Sequence, residues 1–155
     1  MHGLQIISGG QTGADRAALD WAISKSLRHG GWCPRGRLAE DGPIPLRYEL
    51  RETSTANYLQ RTQQNVQDSD GTVIFTVARK LQGGSLATAQ FALESGKPCL
   101  HIHAKSARAA QILAHFIHKH NIRRLNVAGS RASKEPAVGA LTESVLEQAF
   151  NILTA

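Results

Sequence analysis

Short runs of β-branched and apolar residues alternate with longer stretches of helical periodicity along most of this chain. The clearest run is residues 71–77 (Gly-Thr-Val-Ile-Phe-Thr-Val), a continuous segment of the kind that parallel sheets bury on both faces. Further strands are predicted at residues 4–7, 32–33, 99–103 and 124–128, and helices at 14–27, 57–69, 85–94, 106–120 and 139–153. This alternation predicts βαβ units. We therefore expect an α/β fold, a Rossmann-like doubly wound three-layer sandwich with a mainly parallel sheet of about five or more strands.

Length and composition favour a single folded domain over residues 1–155. Hydrophobic residues make up 41 % and charged residues 19 %, which excludes a disordered or collagen-like chain. No apolar run approaches the roughly 20 residues that cross a bilayer, and residues 1–4 lack the basic and apolar regions of a secretion signal. Cys33 and Cys99 are far apart and form no CxxC pair, which suits a reducing compartment. We expect a cytoplasmic domain without a membrane partner.

Positive charge is concentrated in the second half of the chain. Residues 1–75 carry eight basic and eight acidic residues, whereas residues 76–155 carry ten and four, so the formal charge of +6 arises there. An anionic partner is indicated. Because no Lys/Arg run exceeds two residues and aromatic residues do not interleave with them, nucleic acid is a weaker explanation than a phosphorylated small molecule.

Three predicted strands are followed by glycine-rich loops: the first loop at residues 8–15, the second at 82–85 and the third at 128–131. In an open parallel sheet these loops share the carboxyl edge, where ligands bind at the point at which the strand order reverses. Glycines let the backbone approach a phosphate, and the amides of the following helix bind its oxygens. The alternative is that the glycines serve tight turns. The predicted phosphate or nucleotide site comprises Gly9, Gly10, Gln11, Thr12, Gly13, Gly83, Gly84, Ser85, Thr88, Gly129, Ser130 and Arg131, with Lys134 as a second cation.

The lid segment, residues 34–55, contains three prolines and is predicted to be a long ordered loop. One interpretation is a lid in which Arg35 or Arg37 reaches a phosphate, and a solvated surface loop is the alternative. Glu40 and Asp41 could supply a general base or a magnesium contact. Asp15, in a first helical turn, could interact with the helix dipole, a ribose hydroxyl or a Mg²⁺-bound water. Asp15, Glu40 and Asp41 are therefore the candidate catalytic residues.

The seven histidines do not predict a metal site. His101 and His103 share a strand face, and His115 and His118 share a helix face, yet no third ligand accompanies either pair. A structural or surface role is the better interpretation.

Several blocks of this sequence resemble the putative molybdenum carrier proteins. The first loop with the residues after it, and the start of the lid segment, are specific matches, and the resemblance covers almost the whole chain. The matching blocks are residues 8–20 (SGGQTGADRAALD), 33–42 (CPRGRLAEDG), Ile44-Pro45, Tyr58, Arg61-Thr62, Asn65-Val66, residues 68–70 (DSD) and residues 125–131 (LNVAGSR). That family belongs to a Rossmann-like superfamily that includes the LOG-type phosphoribohydrolases and the DprA DNA-processing proteins.

The resemblance implies binding of molybdenum cofactor or a related nucleotide, and homo-oligomers. It also reveals a departure. The LOG-type enzymes carry a PGGxGTxxE block whose glutamate serves hydrolysis of an N-glycosidic bond, whereas residues 82–90 here read QGGSLATAQ. With Gln90 near the place of the acid, no carboxylate is available there.

Three hypotheses follow. The first is a carrier that holds a phosphorylated ligand without changing it. The second is a nucleotide-processing hydrolase in which Asp15, Glu40 or Asp41 replaces the absent glutamate. The third and weakest is binding of single-stranded DNA.

Overall fold

The computed structural model describes residues 3–155, and the expectation about a secretion signal, which involves Met1 and His2, lies outside them. Within that range the elements, in chain order, are β1 (Gln5–Ile7), α1 (Ala14–Ser24), β2 (Arg28–Gly30), β3 (Trp32–Cys33), β4 (Leu38–Ala39), β5 (Gly42–Pro43), β6 (Arg51–Glu52), α2 (Tyr58–Gln67), β7 (Gly71–Thr76), α3 (Gly83–Glu94), β8 (Cys99–His103), α4 (Ala109–Lys119), β9 (Arg124–Gly129) and α5 (Val138–Thr154). The predicted alternation of strands and helices is confirmed.

The main sheet has five strands in the order β2-β1-β9-β7-β8, and every neighbouring pair is parallel. The last strand of the chain, β9, lies at the centre, where Asn126 is in register with Ile7 of β1 on one side and Thr72 of β7 on the other. If β9 and α5 preceded β1, the order would be 3-2-1-4-5, the arrangement of a doubly wound nucleotide-binding sheet. The chain therefore has a circularly permuted Rossmann-like topology.

Helices cover both faces of this sheet. Helices α1, α4 and α5 enclose the main apolar core on one face, against strand residues Ile6, Phe75 and Leu125. Because side chains alternate along a strand, Asn126 points to the opposite face, where α2 packs against α3. The predicted three-layer sandwich is confirmed. Within residues 3–155, no helix is both long and apolar enough to cross a membrane.

Several segments differ from the sequence prediction. Helix α4 begins at Ala109 instead of residue 106, since Arg108 adopts φ 55°, and the segment predicted to be a loop, residues 34–55, contains the short strands β4, β5 and β6. Helix α1 ends at Ser24 instead of residue 27, because Ser26 adopts φ 54° and Leu27 N donates to Ala22 O at 2.9 Å in a closing turn. The next three residues, Arg28–Gly30, form the edge strand β2, which their polar sequence did not indicate. The strand predicted at Trp32-Cys33 is present but pairs outside the main sheet, with β6.

Candidate functional site

The three glycine loops meet at the carboxyl edge of the main sheet. The first and third loops touch, because Ala14 N donates to Ser130 O at 3.1 Å, and Ser130 N in turn donates to Phe75 O of β7 at 3.1 Å. The last residues of the second loop form the first turn of α3. With α2 these loops enclose an open cleft with a volume of about 110 Å³. Residues 126–129 of β9 line the cleft, and the strand order reverses between β9 and its neighbour β7.

Many of the predicted site residues line this cleft: Gly9, Gln11, Asp15, Gly84, Ser85, Thr88, Gly129, Ser130, Arg131 and Lys134. The others lie outside its lining: Gly10, Thr12, Gly13, Arg35, Arg37, Glu40, Asp41 and Gly83.

The start of α3 is suited to an anion. Gln82, at the N-cap, makes no capping hydrogen bond with its side chain, and Gly84 N donates to no acceptor within residues 3–155. Lys134 brings its ammonium group to 3.7 Å from the position that a Cβ on Gly83 would occupy. Free amides at a helix start carry partial positive charge, so a lysine beside them adds to the attraction for an anion.

The loop glycines have different roles. Gly13 has φ 83° and Gly129 has φ 156°, and a Cβ on them would lie 2.3 Å from Ser130 O and 2.1 Å from Phe75 O, respectively. These two glycines therefore allow backbone segments to pack closely together. At Gly84, in contrast, a Cβ would have no atom within 4 Å, so the backbone there is open to a ligand.

Asp15 and Arg61 form a buried pair beneath the first loop. Asp15 Oδ2 accepts from Gln11 N at 3.2 Å and lies 3.7 Å from Arg61 Nη1, which also donates to Gly9 O at 2.9 Å. Burial raises the pKa of Asp15 to about 6, and Arg61, the Gln11 amide and Arg16 offset only part of that effect. The cleft therefore contains a carboxyl group whose pKa is raised by burial to about 6.

The lid segment is packed and internally bonded. Its Ile44 and Tyr48 form a small core with Leu19 of α1. The guanidinium group of Arg37 holds the segment together by donating to four of its carbonyl oxygens, those of Ile44, Pro45, Tyr48 and Leu50, at 2.7–3.3 Å. Arg35 is exposed. Neither arginine lines the cleft.

Glu40 and Asp41 connect the lid segment to the glycine loops. Glu40 accepts hydrogen bonds from Ser133 Oγ at 2.5 Å and from the Thr12 hydroxyl, and these bonds lower the pKa of the Glu40 carboxyl. Asp41 pairs with Arg16 at 2.5 Å, and this hydrogen bond lowers the pKa of Asp41. Both carboxyl groups are thus held outside the cleft.

His101 and His103 lie in strand β8, and neither lines the cleft. His101 Nε2 is 2.6 Å from Thr76 Oγ1, and burial, assisted by His103, lowers the pKa of His101. Within residues 3–155, no three His, Cys, Asp or Glu residues are grouped so that they could hold a metal ion.

The sequence prediction missed a polar face of α2. Tyr58, Arg61, Thr62 and Asn65 follow the i, i+3, i+4, i+7 spacing that places residues on one side of a helix, and all four line the cleft. Asn126 of β9 joins them from the sheet. A helix that packs against a sheet usually carries an apolar stripe on that face. A polar stripe in its place is the signal that could have identified these residues.

Comparisons with known proteins agree with the permuted topology. The model of the circularly permutated YpsA SLOG family (cpYpsA) matches residues 6–150. A crystal structure of a protein from Syntrophus aciditrophicus SB, described as a "Putative molybdenum carrier protein", is 47 % identical with a TM-score of 0.91. The alignment covers 94 % of this chain and 93 % of that one. No curated protein matches.

The family model spans most of the chain, and the expected resemblance to molybdenum carrier proteins is confirmed by the similar crystal structure. The name of the family describes a circular permutation, and the strand order of the main sheet is circularly permuted. The chain belongs to the circularly permutated YpsA family of the SLOG superfamily.

Proposed function

We propose that this protein binds a phosphorylated small molecule in the cleft between the glycine loops and carries it without changing it. The observation that supports this most is the convergence of open backbone and cations: the free amide of Gly84, the hydroxyl of Ser85 and the side chains of Arg131 and Lys134 all line one cleft. Phosphate oxygens are recognised by this combination of donors.

The proposed ligand is molybdenum cofactor or a nucleotide. The 47 % identical crystal structure is described as a putative molybdenum carrier, which favours the first. Among the described residues, neither cysteine nor histidine lines the cleft, so no thiolate or imidazole there is available to a metal. The protein would therefore hold such a cofactor by its phosphate and its ring, and leave the metal to the ligand's own sulfur atoms.

A carrier is favoured over a hydrolase by the positions of the candidate acids. Gln90, which stands near the place of the LOG-type glutamate, is exposed on α3 and does not line the cleft. Glu40 and Asp41 are held by other residues.

We also propose that the protein is homo-oligomeric and cytoplasmic.

Ligand binding is tested by calorimetric titration and by native mass spectrometry of protein purified without added ligand. We expect a bound pterin or nucleotide, and a dissociation constant that rises about tenfold when a charge-assisted hydrogen bond is removed in Lys134→Gln. Lys119→Gln, which removes an exposed charge on α4, is the matched control. If phosphorylated nucleotides and pterins both fail to bind at low salt, the proposal is wrong.

One observation favours a second candidate function, nucleotide hydrolysis. Asp15 lines the cleft and has a pKa of about 6, which suits a general acid or base at neutral pH. Release of free base or phosphate from a nucleotide panel, abolished by Asp15→Asn, would support an enzyme. Binding without turnover in the unmodified protein would leave the carrier function alone.

A further inference from the structure

One buried hydrogen-bond donor in the cleft has no partner in the protein. Gln11 is only 6 % exposed and lines the cleft, and its Nε2 atom donates to no acceptor within residues 3–155. An amide donor that is buried without a partner destabilises the folded protein. Such a group in a cleft points to a ligand that supplies the acceptor.

The orientation of the Gln11 side chain is fixed by its other end. Gln11 Oε1 accepts from Thr12 N at 3.0 Å and from Glu40 N at 2.9 Å. Two backbone amides donating to one end of the side-chain amide identify that end as the oxygen. The free end is therefore the NH₂ group, and the lid segment contributes to holding it in place through Glu40.

The same cleft contains an acceptor without a partner. Asp15 Oδ2 accepts from the backbone amide of Gln11 at 3.2 Å, whereas Asp15 Oδ1 takes part in no hydrogen bond within the described residues. Both residues line the cleft. An N–H donor and a carboxyl oxygen that line one cleft suit a ligand that presents a carbonyl and an N–H, as the edge of a cyclic amide does.

We propose that Gln11 and Asp15 recognise the lactam edge of a heterocyclic ligand: Gln11 Nε2 donates to the ring carbonyl, and Asp15 accepts from the adjacent ring N–H. The inference rests on the proposed function, since the glycine loops bind the phosphate of the same ligand. Its consequence is selectivity for oxo-heterocycles over their amino counterparts. An amino group in place of the carbonyl would face the NH₂ group of Gln11, and two donors would then oppose each other.

The test uses two pairs of ligands that differ at this edge alone. Inosine 5′-monophosphate and adenosine 5′-monophosphate form one pair, and pterin-6-carboxylate and 2,4-diaminopteridine-6-carboxylate form the other. Isothermal titration of the full chain should show the oxo member of at least one pair binding about tenfold or more tightly than the amino member. Ribose 5-phosphate reports on anion binding without a ring.

Gln11→Glu is the decisive variant. A glutamate retains an oxygen for the amides of Thr12 and Glu40 but replaces the free donor by an acceptor. The ratio of the oxo member's affinity to the amino member's affinity should therefore fall to one, or the amino member should bind more tightly. The ratio within a pair cancels general charge repulsion, because both members carry the same charge. Gln148→Glu, with the same change at an exposed position on α5, should leave the ratio unchanged.

The outcomes separate this inference from the proposed function. Equal affinity for both members of each pair, or a preference that survives Gln11→Glu, overturns the lactam assignment while phosphate binding stands. Binding of ribose 5-phosphate alone, with no oxo ligand bound, overturns it as well. If ribose 5-phosphate and all four ring compounds fail to bind, the proposed function fails and this inference fails with it.

Discussion

Replacing Asp15 by asparagine removes a carboxyl group whose ionisation the fold opposes. Burial raises the pKa of Asp15 from 3.8 to about 6, so the folded protein retains a proton that the unfolded chain has released. Between pH 4 and pH 6 the folded state binds more protons than the unfolded state, and its stability therefore falls as the pH rises. Asparagine resembles the protonated carboxyl group and has no such dependence.

The size of the effect follows from the two pKa values. At about 1.4 kcal/mol for each pH unit, the rise from 3.8 to about 6 corresponds to roughly 3 kcal/mol. The difference in unfolding free energy, Asp15→Asn minus wild type, should increase by about that amount between pH 3 and pH 7 and then stay level. Carboxyl groups elsewhere contribute equally to both proteins and cancel.

Urea denaturation at half-unit pH steps measures this difference. Glu147→Gln is a control of opposite sign, because hydrogen bonds from Lys25 and Trp21 lower the pKa of Glu147. The unfolding free energy of wild type should increase relative to that of Glu147→Gln as the pH rises through the acidic range. A difference between Asp15→Asn and wild type that does not change with pH, or that decreases, would refute the reasoning about Asp15.

Two further predictions concern packing and the lid segment. Gly129→Ala should lower the unfolding free energy by about 3 kcal/mol or more, because its Cβ would lie 2.1 Å from Phe75 O. Gly139→Ala is the control, since its Cβ would meet no atom closer than 3.7 Å, and it should not destabilise the protein in urea denaturation. Arg37→Met removes donors to four carbonyl oxygens, so hydrogen exchange in residues 34–55 should become faster while α5 keeps its protection; unchanged exchange would contradict the role given to Arg37.

Local pattern predicted the fold where one physical effect dominates. Strand β7 is apolar over its whole length, and both of its faces are indeed buried. Strand β2, with Arg28, His29 and Gly30, is polar because it lies at an edge, so composition could not distinguish it from a turn. The central position of β9 depends on pairing between distant segments, which no local pattern encodes.

The part of the candidate site that lies in the glycine loops was predictable from the sequence, whereas the part on α2 was not. The carboxyl-edge rule places the three loops at one edge of the sheet, and because β1, β9 and β7 are neighbours, Gly84, Ser85 and Arg131 line one cleft. The polar face of α2 reaches that cleft through tertiary packing, so Arg61 was not among the predicted site residues. Glu40 and Asp41 carry charges that suit catalysis, but the structure directs them to Thr12, Ser133 and Arg16.

The central position of β9 sets the order in which the protein can assemble. Strand β1 and strand β7 do not pair with each other, and each acquires its inner neighbour only from residues 124–129. During synthesis, the β1–β2 pair and the β7–β8 pair must therefore wait, each with its inner edge unpaired, until residues 124–129 have emerged from the ribosome. Nascent chains stalled before that point should recruit chaperones, and release from them should coincide with emergence of the last strand.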